Sequence, residues 1–385
     1  MKAIGANLNA ESEFDVDSPP HDRIGKHVVK FENGQGSLNK TRVSSEAGGA
    51  RYMDIIAASP ISQVTSLAGL SLFWPGCDTA SSHKDYPVRA WAASPHGKRM
   101  LGDGGWLLVI SSSGNAAYAV AKATRPFARR GARLVVFTDV LSPPEMAERL
   151  RTDFDHVKVI VIDDPDASGS HAAARQRTID AFRELNPCAV EISQYGRTNA
   201  VGSFWANGYD AMLAEIETAY PDMTTLVLPL GTCATLRSAA AYKLKHGRRW
   251  TIIAIDAAGS ALTGIPSGKR LFSGFGNGKP TLWLSQGFAY VGQFGKVTDE
   301  ATIIASRILL RAGLHMGASS AACVAAALSF REQGRLPHRG QTVVLCPDHG
   351  SLYGSTLFND EFLRSHGHGQ LVTALGRNQT TTFTT

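Results

Sequence analysis

Short runs of apolar, largely β-branched residues alternate along this chain with longer segments of helical periodicity. The predicted strands are His27–Phe31, Trp106–Ile110, Ala132–Thr138, Val157–Ile162, Ala189–Ile192, Thr224–Leu230, Trp250–Ile255 and Thr342–Cys346. The predicted helices are Asn115–Arg130, Pro143–Phe154, His171–Leu185, Asn207–Tyr220, Asp299–Ala312 and Ser320–Glu332. Such alternation is typical of parallel sheets flanked by helices on both faces, so we predict an α/β fold.

Composition excludes several classes of protein. The chain has 385 residues, of which 43% are hydrophobic, enough for one large or two ordinary domains. No run approaches the roughly 20 apolar residues of a membrane span, and the polar start, Met1–Asp17, lacks the apolar core of a signal peptide, so we expect a cytoplasmic protein. The five cysteines lie far apart, which argues against a disulfide framework or a zinc site. The net charge of +6 is spread along the chain and therefore favours small anionic substrates over nucleic acid.

One segment departs from the alternating pattern. Residues 55–104, rich in Ser, Pro, Gly and Trp, are expected to form an irregular insertion. We place it in a smaller domain, 41–204, beside a larger domain made of 1–40 and 205–385. The polar tail 378–385 is expected to be disordered.

A strand–loop–helix segment offers an anion site. The apolar run Leu226–Leu230 leads into Gly231-Thr232-Cys233-Ala234-Thr235 and then directly into a helical pattern. The first N–H groups of a helix lack intrahelical partners and lie at the positive end of its dipole, so they bind anions. Taken alone, this run is equally compatible with an ordinary strand-to-helix turn.

Other glycine- and serine-bearing loops follow strands as well. They are Ser111-Ser112-Ser113-Gly114-Asn115, Ser193-Gln194-Tyr195-Gly196, and the run from Asn33 through Gly34, Gly36, Ser37 and Lys40 to Arg42. In open α/β sheets, ligands bind beyond the carboxyl ends of the strands. We therefore expect these loops and the anion loop to face one cleft, as in an enzyme.

Together these motifs resemble the fold-type II pyridoxal-phosphate enzymes of the cysteine synthase and cystathionine β-synthase group, which have a tryptophan synthase β-like fold of two domains. The resemblance covers about residues 28–362 apart from the insertion. Its motifs, in order, are Gly36-Ser37 followed by Lys40 and Arg42, Ser112-Ser113-Gly114-Asn115, Gly231–Thr235, Gly317-Ala318-Ser319-Ser320, and Pro347-Asp348-His349-Gly350 with Tyr353 and Thr356.

The resemblance implies pyridoxal 5'-phosphate as the cofactor, a homodimer, no metal, and a role for each motif. Lys40 would be the Schiff-base lysine and the base at the substrate α-carbon. The other cofactor contacts would be Asn115, Gly231, Thr232, Cys233, Ala234, Thr235 and Ser319. The substrate contacts would be Ser112, Ser113, Gly114, Asn115, Gln194 and Arg270.

Within this group the chain is most similar to the siderophore-type synthases that join O-phosphoserine to glutamate. The traits that carry this similarity are Asp164-Pro165-Asp166, Gln194-Tyr195, Ile255-Asp256-Ala257-Ala258-Gly259-Ser260, and Arg270 before Gly274-Phe275-Gly276. It implies a β-replacement on O-phospho-L-serine or O-acetyl-L-serine through an α-aminoacrylate, giving N-(2-amino-2-carboxyethyl)-L-glutamate. A sulfide-using cysteine synthase, a deaminase or desulfhydrase, and a non-catalytic homologue remain alternatives.

The lysine loop has one residue more between Ser37 and Lys40 than the usual family pattern, which bears on the choice of lysine. Lys98 competes with Lys40, but only seven residues separate it from the strand at Trp106, too few for the helix that follows the family's lysine. Cys233-Ala234 replaces the usual Gly-Gly of the phosphate loop, which backbone donors tolerate provided that neither residue needs a positive φ.

Overall fold

The computed structural model describes residues 41–43, 62–78, 81–102, 105–163, 171–196, 201–265 and 270–377. The predicted strand His27–Phe31, Lys40 and the tail 378–385 lie outside these ranges. None of the helices within them has the length and apolarity that crossing a bilayer requires.

Seven strands form the larger of two sheets, in the order β1-β2-β3-β11-β8-β9-β10. They are β1 Thr41–Val43, β2 Ser62–Leu67, β3 Leu70–Trp74, β8 Met223–Pro229, β9 Thr251–Ala257, β10 Val291–Val297 and β11 Gln341–Leu345. The pairings from β3 onwards are parallel, whereas β1, β2 and β3 pair antiparallel. Strand β8 lies inside the sheet, and its Leu226, Val227 and Leu228 are at most 1% exposed because helices cover both faces.

The smaller sheet is entirely parallel, with the order β6-β5-β4-β7. Its strands are β4 Leu107–Ser111, β5 Arg133–Asp139, β6 Val157–Ile162 and β7 Ala189–Glu191. Leu108, Val109 and Ile110 of the inner strand β4 are fully buried. One face of this sheet packs into the main hydrophobic core, while Val109, Val135 and Phe137 on the other face form a separate cluster with Ile179.

From β3 onwards, helices connect successive strands. The α-helices are Asp85–Ala93, Pro95–Gly102, Asn115–Thr124, Pro144–Asp153, His171–Leu185, Ser203–Asn207, Asp210–Ala219, Ala234–Lys245, Leu282–Gly287, Asp299–Arg311, Ala318–Glu332, Asp360–Leu363 and Gly369–Arg377. The 3₁₀ helices are Arg125–Arg130, Phe288–Tyr290 and Gly350–Tyr353, and a π-helical turn spans Arg364–His368.

The predicted α/β fold is confirmed, and the strands predicted within the described residues agree with the observed ones to within two residues. The expected irregular insertion at 55–104 is wrong over residues 62–102. These residues form the hairpin β2–β3 and two helices, and the hairpin pairs with β11, far along the chain. The hairpin therefore belongs to the larger sheet. The division into two domains stays a prediction.

Gly76 lets the chain after β3 pass directly over the segment that follows β11. A Cβ atom at Gly76 would lie 2.4 Å from Cα of Asp348 and 2.8 Å from the carbonyl oxygen of Pro347. Both are backbone positions, which cannot yield by a change of rotamer. Glycine is therefore required here by space.

We predict that Gly76→Ala lowers the free energy of unfolding by about 1–3 kcal/mol, because the added methyl group overpacks a backbone junction. Chemical denaturation measures the change. The matched control is Gly102→Ala, where a Cβ would meet nothing within 4 Å. Equal stabilities of the two variants would contradict this account of the junction.

Candidate active site

A cavity of about 410 Å³ opens at the carboxyl ends of strands from both sheets. Its lining comes from the loops after β3, β4, β5, β7, β8 and β11, together with the segment 270–278 and the start of helix Ala318–Glu332. The predicted site residues Ser112, Ser113, Asn115, Gln194, Gly231, Thr232, Cys233, Thr235, Arg270 and Ser319 all line it. The fold thus brings together side chains that are distant in sequence.

The predicted anion loop lies at one end of this cavity. The helix after it begins at Ala234, so the first-turn N–H groups follow the loop directly. The Thr281 hydroxyl donates to the Thr232 carbonyl at 3.0 Å and holds the loop in place. The Ala234 N–H also donates to the Thr232 hydroxyl at 3.4 Å. The first-turn N–H groups lie at the positive end of the helix dipole, which suits a phosphate group.

Cys233 adopts a left-handed conformation, with φ of 64°. The condition stated for tolerating Cys233-Ala234, that neither residue needs a positive φ, is therefore not met. A left-handed conformation costs a residue with a Cβ about 1–2 kcal/mol. Burial also raises the pKa of the Cys233 thiol to about 12, so the thiol stays protonated and is not a nucleophile at neutral pH.

The cavity contains a lysine that the sequence analysis missed. Lys84 lines it, whereas Lys98 is exposed on helix Pro95–Gly102 and Lys40 lies outside the described residues. Burial lowers the pKa of the Lys84 ammonium to about 8, and its Nζ lies 5.7 Å from the centroid of the Trp205 ring. Among the described residues, Nζ has neither a hydrogen bond nor an ion pair. A substantial fraction of this amine is therefore neutral near pH 8 and able to react.

The local sequence explains why Lys84 is held there. The Asp85 carboxylate accepts from the N–H of Ser82 at 2.8 Å, the Ser82 hydroxyl accepts from the N–H of Lys84 at 3.2 Å, and Asp85 pairs with Lys122 at 2.6 Å. Lys84 thus occupies a fixed turn between β3 and the helix starting at Asp85. The run Ser82-His83-Lys84-Asp85 could have indicated this lysine in the sequence. It was not considered because residues 55–104 were expected to form an irregular insertion.

The serine loop after β4 is built from its own side chains. The Ser112 hydroxyl accepts from the N–H groups of Gly114 and Ala117 at 3.0 and 3.2 Å, so it caps the next helix. Gly114 has φ of 149°, and a Cβ there would lie 2.4 Å from Met146. The Asn115 amide donates to the carboxylate of Asp348 at 2.8 Å, and both residues line the cavity.

Arg175 and Arg270 place two guanidinium groups in the cavity lining. Arg175 pairs with Asp139 and donates to the Ser111 hydroxyl. Arg270 is partly buried, and in the described part of the chain no carboxylate lies within ion-pair distance of it. Arg175 was not predicted, because it lies within helix His171–Leu185 and belongs to none of the loop motifs.

Gln194 and Ser319 complete the set of predicted contacts. The Gln194 side-chain amide donates to the Ser111 carbonyl at 3.1 Å, and the Gln194 backbone carbonyl accepts from the Trp283 indole at 3.0 Å. Ser319 is the second residue of its helix and is 4% exposed, with its side chain in the cavity lining. Gly114 and Ala234 are adjacent to lining residues but do not line the cavity themselves.

Comparison with known proteins gives consistent matches. The family model described as "Pyridoxal-phosphate dependent enzyme" matches residues 76–348, a range that contains Lys84 but not Lys40. The N-(2-amino-2-carboxyethyl)-L-glutamate synthase of Ralstonia nicotianae is 27% identical over 81% of this chain and 90% of its own length. The synthase of the same name from Cupriavidus metallidurans is 29% identical over 74% of this chain and 81% of its own length.

A solved structure shares the fold. The O-acetylserine-dependent cystathionine β-synthase of Helicobacter pylori superposes with a TM-score of 0.66 at 19% identity, covering 78% of this chain and 97% of that one. At this identity the likeness shows the fold alone.

We predict that Cys233→Gly is more stable than Cys233→Ala by about 1 kcal/mol. Both changes remove the thiol, but only glycine adopts the left-handed conformation without a steric cost. Urea denaturation of the two variants gives the difference. A Cys233→Ala protein as stable as Cys233→Gly would mean that position 233 is unstrained.

Proposed function

Because this chain belongs to the pyridoxal-phosphate dependent enzymes, we propose that it replaces the β-substituent of a serine derivative with an amine. The donor is O-phospho-L-serine or O-acetyl-L-serine, and the acceptor is the amino group of L-glutamate. The product is N-(2-amino-2-carboxyethyl)-L-glutamate, the compound that the two synthase relatives are named for.

The residues of the cavity fit the cofactor of the family. Lys84 offers an amine, the loop before Ala234 offers backbone donors for a phosphate, and Ser319 offers a neutral hydroxyl. His83 also lines the cavity, and its Nδ1 is buried without a hydrogen-bond partner among the described residues. When bound, the cofactor stabilises negative charge at the substrate α-carbon, which allows the β-substituent to leave.

We assign to Lys84 the role that the sequence analysis gave to Lys40. The family match includes Lys84, and the fold places it in the cavity with a pKa of about 8. At that pKa the amine can both carry the cofactor and take a proton from the substrate α-carbon at physiological pH. The prediction for Lys40 itself stays untested.

Ser112, Ser113, Gly114 and Asn115 would bind the substrate carboxylate, as predicted. The Ser112 hydroxyl already accepts two backbone hydrogen bonds, so its remaining use is as a donor to the substrate. Gln194, in the loop after β7, is held twice: its backbone carbonyl accepts from the Trp283 indole, and its side-chain amide donates to the Ser111 carbonyl. Its side chain therefore has little freedom and would limit the position of the substrate.

The position and charge of Arg270 are the observation that supports the choice of substrates. Folding has already removed water from the partly buried Arg270 guanidinium, which has no carboxylate partner among the described residues. A bound anion would therefore be stabilised by this charge without a further desolvation cost to the arginine. O-phosphoserine brings a phosphate and glutamate brings a side-chain carboxylate, whereas sulfide brings no such group. This favours the glutamate reaction over a sulfide-using cysteine synthase.

Lys84 is expected to carry the cofactor covalently. Borohydride reduction followed by peptide mass mapping should find the cofactor on Lys84, and Lys84→Ala should retain none after reduction and dialysis. Lys98→Ala, a change at an exposed lysine, serves as the control and should retain the label. Label on Lys40 would restore the original prediction and overturn this one.

Arg270→Met should lower kcat/KM for the coupling of O-phosphoserine to glutamate by about tenfold to a hundredfold, the value of a lost charged hydrogen bond. Phosphate release and the coupled amino acid are both measured. Arg311→Met, at an exposed arginine that donates to the Leu375 carbonyl, should leave the rate unchanged. Phosphate release without a coupled product would sink the glutamate assignment.

The enzyme is also proposed to act in the cytoplasm as a homodimer. This proposal rests on the resemblance to its family. Light scattering after size-exclusion chromatography gives the mass, which is expected to be about twice the 41.1 kDa of one chain.

A further inference from the structure

Asp348 is a buried carboxylate that lies where several loops of the cavity meet. Its side chain is 1% exposed. Its Oδ2 accepts from the Asn115 amide at 2.8 Å and from the Tyr353 hydroxyl at 2.7 Å. Its Oδ1 has no hydrogen-bond partner within the described residues and lies against Gly317, where a Cβ would be only 2.2 Å away.

Among the described residues, this carboxylate has hydrogen-bond donors but no counter-ion. The titratable groups around it are Tyr353 and Cys346, with His83 and Lys84 in the same cavity lining, and none forms an ion pair with it in the described part of the chain. Burial raises the pKa of Asp348 to about 6. A charge buried at such a cost is more often explained by function than by stability.

The hydrogen bond to the carboxylate fixes the orientation of the Asn115 amide. An ionised carboxylate only accepts, so the NH₂ group of Asn115 must face it, and the opposite orientation would set two oxygens against each other. One N–H of that group then binds Asp348, and the second remains for a ligand. The amide therefore presents a donor to the cavity in a fixed orientation.

Resting on the function proposed above, we propose that Asp348 is the positioning residue for Asn115. By holding the amide nitrogen, it makes Asn115 a donor to an anionic oxygen of the cofactor. Tyr353, which shares the same carboxylate oxygen, helps to fix Asp348 in turn. Asp348 itself does not touch the reacting atoms in this scheme.

The test measures the dissociation constant of pyridoxal phosphate by its absorbance at pH 8, in the wild type, Asp348→Asn, Asn115→Ala and the double variant. Each single change is expected to weaken binding about tenfold, the value of one hydrogen bond. The double variant should bind no more weakly than either single one, because both changes remove the same contact. Tyr353→Phe, which keeps the acceptor for Asn115, should weaken binding less than Asp348→Asn.

Losses that multiply to about a hundredfold in the double variant, or an Asp348→Asn protein that binds like the wild type, would overturn the proposal.

A second measurement needs no change at Asp348. The ratio of dissociation constants between Asn115→Ala and wild type should fall from about tenfold at pH 8 towards one below pH 6, where protonated Asp348 no longer fixes the amide. A ratio that stays constant with pH contradicts the proposal. Because the readout is cofactor binding, it is independent of whether O-phosphoserine and glutamate react.

Discussion

The dipeptide Pro347-Asp348 fixes the relative positions of the loops on which the cavity depends. The Pro347 carbonyl accepts from the N–H of His83, next to Lys84. The Asp348 carbonyl accepts from the Trp74 indole and from the N–H of Gly317, two residues before Ser319, and its side chain accepts from Asn115. The reactive amine, the amide donor and the hydroxyl at the helix start are thus held by one rigid segment, which is how a site achieves preorganisation.

Local periodicity was sufficient to predict strands β4 to β9 and β11. A run such as Leu226–Leu228 is buried on both faces, so its residues are uniformly apolar and the pattern is visible in isolation. The hairpin β2–β3 gives a weaker signal, because it interrupts apolar residues with serines and turns at Ala68-Gly69. Its place in the sheet is decided by pairing with β11, a contact that no short window contains.

The same limitation explains why Lys84 was not predicted. Most of the predicted ligand contacts follow strands that periodicity reveals, and they meet in the cavity as expected. Lys84 follows β3, a strand that was not predicted, so its loop was never considered as part of the cleft. Lys40 was chosen by motif resemblance and by the short spacing between Lys98 and the next strand. The evidence for Lys84 is its position beside residues such as Cys233 and Ser319, which only the folded chain supplies.

The charged groups of the cavity are poorly compensated by the protein itself. Lys84, Arg270 and Asp348 all lack ion pairs among the described residues, and burial shifts the pKa of each towards its neutral form. These are the marks of a site whose polar groups await partners, since folding alone would favour apolar residues there. A cofactor phosphate, a substrate carboxylate and an amine nucleophile bring the missing charges. Burying these unpaired charges lowers the free energy of unfolding of the empty protein. Ligands that pair with them raise it again, so the same interactions determine both ligand affinity and the stability of the fold.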